Sequence, residues 1–283
     1  MRWSPGSGSR NVEDRRGSGG FGMAPMGIGG TVILLVLSLI FGRDFVSGSG
    51  DNGSAGQQTG SGDVAPVQQS PEEAKEVQFV SFVFDTAQAT WAQLLPRQTG
   101  APWHDAKLVL FRNATTTGCG VGQAAMGPFY CPLDQKIYID LGFYDDLRNR
   151  FGAPGNFAQA YVLTHELGHH VQHLLGIDDR VRRAQEANPD QASALSIRFE
   201  LQADCYAGIW AHETQREQML ESGDVEEALN AASSVGDDRI QRATTGRVNA
   251  DTFTHGTAKQ RATWFRRGFD SGRASDCNTF ASE

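Results

Sequence analysis

The sequence predicts an α+β protein: one mainly helical domain with a small β-sheet, placed after a single N-terminal transmembrane helix. Three observations carry that reading. Apolar residues recur at helical spacing in several long segments after residue 71. Two short runs, Lys107–Phe111 and Lys136–Asp140, have strand character, and the second alternates Ile137 and Ile139 with Tyr138 and Asp140. Ahead of all of these lies an apolar stretch without charge.

Residues 1–23 form a basic leader, in which Arg2, Arg10, Arg15 and Arg16 outweigh Glu13 and Asp14. Residues 24–42 are strongly apolar, centred on Thr31 to Phe41, and just long enough to cross a hydrocarbon core of about 30 Å as a helix. The excess of arginine before it places the N-terminus in the cytoplasm and the rest outside, anchored in the cell membrane by a single pass. A cleaved signal peptide is the alternative, but the leader is long and no Ala-x-Ala site follows. Residues 43–70 read as a flexible linker, because Ser47 to Ser70 are almost all Gly, Ser, Gln, Asp and small side chains, which cannot bury enough apolar surface to fold.

Residues 71–283 are enough for one domain with a single core. Its first helix is expected over residues 72–95, with Val77, Val80, Phe84, Ala87, Trp91 and Leu94 supplying the apolar face. Ser70 before Pro71 is the expected cap, and Glu72 and Glu73 suit the positive end of the helix dipole. Beyond the strands, helices are expected at 157–175, 193–216 and 257–271, with a short one at 226–234. The polar stretch 176–190 reads as a link. The four cysteines suit an oxidising compartment. Four cysteines allow three pairings; Cys119 and Cys131 flank a Gly-rich segment where a hairpin disulfide fits, and the expected pairing is that one together with Cys205–Cys277. Four reduced thiols in a cytosolic protein are the alternative, which the anchor disfavours. The net charge of −8, with no basic patch among aromatic residues, argues against nucleic acid as a partner.

The chemistry is concentrated in His165-Glu166-Leu167-Gly168-His169, an H-E-x-x-H motif inside the 157–175 helix. Residues four apart share a helix face, so both imidazoles can grip one zinc ion, with Glu166 placed to deprotonate an attacking water. A tetrahedral catalytic zinc needs a third protein ligand and an open position. Glu200 and Asp204, four apart on the 193–216 helix, offer a carboxylate ligand and a second carboxylate to orient a ligand histidine. This is the E-x-x-x-D arrangement of gluzincin-type metallopeptidases, and it implies a zincin-like core. The bland readings are a His-rich surface helix and a solvated pair of acids. Gln172 and Leu175 stand where a metzincin needs Gly and His. His173 cannot join His165 and His169 around a tetrahedral ion on one helix, and His170 points elsewhere.

The stretches Thr164 to His173, Glu200 to Gly208 and His255 to Arg261 resemble the bacterial neutral zinc metallopeptidase family, whose members are typically membrane-anchored or exported. The resemblance spans residues 71–280 and takes in the opening Met-Arg-Trp. It implies zinc ligands at His165, His169 and Glu200 and supplies no substrate. The expected reaction is peptide hydrolysis with Glu166 as general base, on a peptide or protein held along a sheet edge. A further donor is needed for the oxyanion; His255 is the candidate, followed by Tyr206 and Tyr130. The other functional class is a non-catalytic peptide-binding or chaperone-like module on the same fold, and a zinc hydrolase of non-peptide amides is a third reading. Loss of Glu166 or of a ligand would mark a decayed enzyme, and all of them are present.

Overall fold

The computed structural model describes residues 1–6, 8–17, 69–149, 152, 153 and 155–281. In chain order the strands and helices are β1 (Val12–Asp14), α1 (Pro71–Thr99), β2 (Lys107–Phe111), β3 (Ala114–Thr117), β4 (Gly120–Gln123), β5 (Phe129–Cys131), β6 (Lys136–Asp140) and α2 (Gly142–Asn149). They continue with α3 (Asn156–Leu174), α4 (Ile177–Ala187), α5 (Ala192–Arg216), α6 (Asp224–Ser234), α7 (Asp237–Thr245) and α8 (Ala258–Ser271). The fold is α+β and mainly helical, as the sequence predicts.

Ser70 caps α1 by accepting a hydrogen bond from the Glu73 amide, with Pro71 opening the helix and Gly100 closing it in the left-handed conformation. A four-stranded sheet runs in the order β1-β2-β6-β5; β1, β2 and β6 are parallel, and β5 returns antiparallel to β6. Side chains alternate between its faces. Leu108, Leu110, Ile137 and Ile139 join the main core with Phe84 and Trp91 of α1, Phe157 and Tyr161 of α3, Trp210 of α5 and Phe265 of α8. Val109, Phe111 and Tyr138 pack with Cys131 on the opposite face, with Ala124 and Phe129 against them. Both expected disulfides, Cys119–Cys131 and Cys205–Cys277, are formed.

The polar stretch 176–190 is mostly helix α4. Its only buried residues are Ile177 and Val181, four apart, too thin a stripe to announce a helix against its charged neighbours. α7 buries only Asp237, and the short α2 only Tyr144 and Leu147. The basic leader also carries structure. β1, in Val-Glu-Asp, pairs Val12 with Leu108 and Asp14 with Leu110. Arg16 is buried in ion pairs with Asp14 and Glu73, Trp3 packs edge-on against Phe79, and the Met1 amino group meets Glu221 and Asp224. No helix among the described residues is long and apolar enough to cross a membrane. The expected span 24–42 and nearly all of the linker 43–70 lie outside the described residues.

Candidate active site

Gly168 lets the two motif-bearing helices meet. A Cβ there would lie 2.9 Å from the Ala203 carbonyl oxygen and 3.1 Å from the Ala203 Cα, so glycine permits an approach of α3 and α5 that a larger residue would push apart. That approach brings Glu200 of α5 onto the His165/His169 face of α3. His165 Nε2 is 3.2 Å from Glu200 Oε2, and His169 Nε2 is 3.6 Å from Glu200 Oε1. One ligand atom from each of the three residues lies within 4.8 Å of the others, the only such group found among the described residues. Zinc bonds of about 2.0–2.1 Å at tetrahedral angles would put ligand atoms roughly 3.3–3.4 Å apart. The three side chains therefore fit a zinc ion with little adjustment.

Buried partners set which nitrogen each imidazole presents. His165 Nδ1 lies 2.8 Å from Asp204 Oδ1, so Asp204 holds the proton of Nδ1 and turns Nε2 toward Glu200. Asp204 is fully buried and receives Nε and Nη2 of Arg261 at 2.9 and 3.0 Å and the Tyr161 hydroxyl at 2.6 Å. Burial alone would raise the Asp204 carboxyl, but Arg261 and His165 reverse that and keep it below the usual carboxylate range. His169 Nδ1 faces Gln172 Oε1 at 2.8 Å, which likewise leaves Nε2 toward Glu200. Burial holds His169 neutral, lowering it to about 4.

Glu166 stands beside this cluster and is 8% exposed. Burial, helped by the charge of Glu200, raises it to about 7, against the opposing pull of His165. The group opens into a cleft of about 480 Å³ lined by both histidines, Glu166 and Glu200, with Phe129 and Tyr130 of β5 on one side and Val235, Ile240 and His255 on the other. β5 is the last strand of its sheet among the described residues, so its outer edge runs along this cleft.

Of the three candidate oxyanion donors, the structure separates the tyrosines from the histidine. Tyr206 is buried in the core edge-on to Trp91 and does not line the cleft. Tyr130 lines it, but its hydroxyl is engaged with His170. Burial keeps His170 neutral at about 4, and its Nε2 faces the His104 carbonyl at 2.7 Å. A carbonyl only accepts, so Nε2 carries the proton, and Nδ1 must accept from Tyr130 at 2.9 Å. His170 is thus a buried structural residue, and His173 pairs with Asp178 away from the cluster. His255 lines the cleft with its Nδ1 directed at Asp237, 3.2 Å away, and at the Thr254 hydroxyl. Burial works against its charge, but Asp237 and Glu200 outweigh that and raise it.

The sequence reading assigned no role to Arg261 or Gln172. Arg261 left a trace: it stands four and eight residues before Phe265 and Phe269, on the buried stripe of α8, where an unpaired charge is untenable. Gln172 lies three residues beyond His169 on the same helix face.

With this arrangement in view, the relatives of the chain are informative. Residues 1–280 match the family described as "Putative neutral zinc metallopeptidase". The chain is 48% identical over 295 aligned residues to the uncharacterized protein YpfJ of Escherichia coli (strain K12), covering 99% of both chains. It is 41% identical over 209 residues to the uncharacterized protein Rv2575 of Mycobacterium tuberculosis (strain ATCC 25618 / H37Rv), covering 70% of this chain and 68% of that one. No solved structure matches. The chain belongs to the neutral zinc metallopeptidase family, and that membership implies zinc.

Proposed function

We propose that this protein is a zinc-dependent peptidase that hydrolyses peptide bonds outside the cytoplasm. The observation that carries the reading is the meeting of His165, His169 and Glu200 within 4.8 Å, beside the buried carboxyl of Glu166, in a cleft bounded by a strand edge. The two disulfides support a location in an oxidising compartment. A bound zinc would supply Lewis acidity, making water a better nucleophile and polarising a carbonyl. Glu166 would take the proton from the attacking water and return it to the leaving amine; a carboxyl near 7 is matched to both transfers at neutral pH. The β5 edge would hold an extended peptide by strand addition. His255, with Nδ1 turned to Asp237, would offer its Nε2 proton to the oxyanion.

The test is metal analysis of the purified protein together with cleavage of a peptide library, with and without chelator. Stoichiometric zinc and chelator-sensitive cleavage are expected. Zinc without cleavage of any library member would favour the peptide-binding module.

Two further outcomes follow from the cluster. Asp204→Asn should lower zinc affinity roughly ten- to a hundredfold while the fold survives, because the amide still fills the site but no longer holds the Nδ1 proton with a charge. Competition with a chelator measures this, and wild-type affinity would remove Asp204 from the role. The second outcome concerns pH. Burial disfavours a charge on His165, but Asp204 and Glu200 overcome it and raise it to about 9. A proton and a metal compete for its Nε2 lone pair, and the protonated form dominates below that value. Zinc affinity should therefore climb with pH, by about tenfold per unit where one proton is displaced, and level off near 9. Calorimetry in buffers of different ionisation enthalpy counts the released proton; affinity flat from pH 6 to 8 would be the contrary result.

A further inference from the structure

His169 is oriented by a chain of amides that ends at a disulfide. Gln172 and Gln202 are both buried, at 0% and 4% exposure. The Gln172 Nε2 donates to the Phe199 carbonyl at 2.7 Å and to Gln202 Oε1 at 3.0 Å. The Gln202 Nε2 donates to the Cys277 carbonyl at 2.9 Å. The two backbone carbonyls have no proton to give, so each glutamine must turn its NH₂ end toward them. The direction of the whole chain is then set: Gln202 presents oxygen to Gln172, and Gln172 presents oxygen to His169 Nδ1, 2.8 Å away. That oxygen can only accept, which puts the His169 proton on Nδ1 and the lone pair on Nε2, the atom facing Glu200.

The far end is fixed covalently. Cys277 is bonded to Cys205, and Cys205 follows Asp204, the partner of His165. The same tail is held again by the Thr279 hydroxyl on the Arg198 carbonyl. One bridge thus stands behind both histidines, through the backbone on one side and through two glutamines on the other.

We propose that Gln172 and Gln202 are positioning residues for the metal, which carry the placement of the bridge-held Cys277 carbonyl to the Nδ1 of His169. The proposal rests on the reading of His165, His169 and Glu200 as a zinc site. If it holds, zinc affinity depends on a disulfide that touches none of the three ligands. The C-terminal segment then belongs to the metal site as well as to the core.

Full-length protein labelled with ¹⁵N tests this by two readouts. Two-bond nitrogen–proton correlation of the protein after chelator treatment reports the tautomer of His169. Competition with a chromophoric chelator reports zinc affinity. Wild type should show the Nδ1–H tautomer. Gln172→Leu should lose that preference and weaken zinc binding roughly ten- to a hundredfold. Gln202→Leu, and separately the pair Cys205→Ser with Cys277→Ser, should shift both readouts in the same direction by less. Combining Gln202→Leu with the bridge variant should add little to the larger single effect, since both act along one path. Wild-type tautomer and affinity in Gln172→Leu would overturn the proposal, and full additivity of the Gln202 and bridge effects would overturn its link to the disulfide. Where Gln172→Leu does not fold, Gln202→Leu carries the same comparison. A wild-type protein that takes up no zinc would sink the metal reading, while the tautomer comparison still decides the relay.

Discussion

Glu166→Gln should keep its zinc and lose its cleavage, by at least the hundred- to ten-thousandfold that general acid–base catalysis commonly contributes. Three features lead to that expectation. Glu166 is not in the group formed by His165, His169 and Glu200, so no metal bond is removed. It is buried next to that group, so the amide occupies nearly the same volume and the helix is undisturbed. The amide cannot accept a proton at any pH of interest. Metal content and peptide cleavage must be measured in the same preparation. Retained zinc with near wild-type turnover would refute the role of Glu166.

Glu200→Ala should instead lose the metal, and with it all activity. The loss should exceed the ten- to a hundredfold expected from a carboxylate placed behind a ligand, because a charged ligand itself disappears. Burial raises the Glu200 carboxyl, yet the facing imidazoles of His169 and His165 more than offset this and leave it well below the usual range. It is thus an anion held ready beside two nitrogens. Its removal leaves His165 Nε2 without its 3.2 Å partner. Zinc remaining stoichiometric in Glu200→Ala, measured by mass spectrometry of the metal, would show that the third ligand is another residue.

The parts of the fold legible in the sequence were those whose apolar residues repeat. α1, α3, α5 and α8 carry long stripes with clear ends, and β2 and β6 are short apolar runs whose side chains alternate between two packed faces. β1 gave no such sign. Val12, Glu13 and Asp14 are a strand because an edge of β2 is open to their backbone, and Arg15, Arg16 and Lys136 neutralise their acids. The shared face of His165 and His169 was legible from spacing, since residues four apart on a helix share a face, whereas Glu200 came from the E-x-x-x-D pattern and the family resemblance, and its approach depends on how α3 and α5 pack. The supports behind them were not. An amide such as Gln172 carries no chemical signature until its three partners, one on its own helix and two on α5, close around it.

The pairing of β1 with β2 also constrains how the chain can be threaded. Backbone rungs between Val12 and Leu108, Glu13 and Val109, and Asp14 and Leu110 cannot be shared across a lipid layer. While they hold within one molecule, the leader and the domain occupy the same compartment. A single crossing with the leader left behind would require these rungs to break. The charge pattern that would keep an arginine-rich leader in the cytoplasm is also altered by docking, because Arg16 is matched by Asp14 and Glu73, and Arg15 by Glu13. The leader would then travel as a docked part of the enzyme, and its first residues would be found on whichever side of the membrane His165 and Glu166 are found.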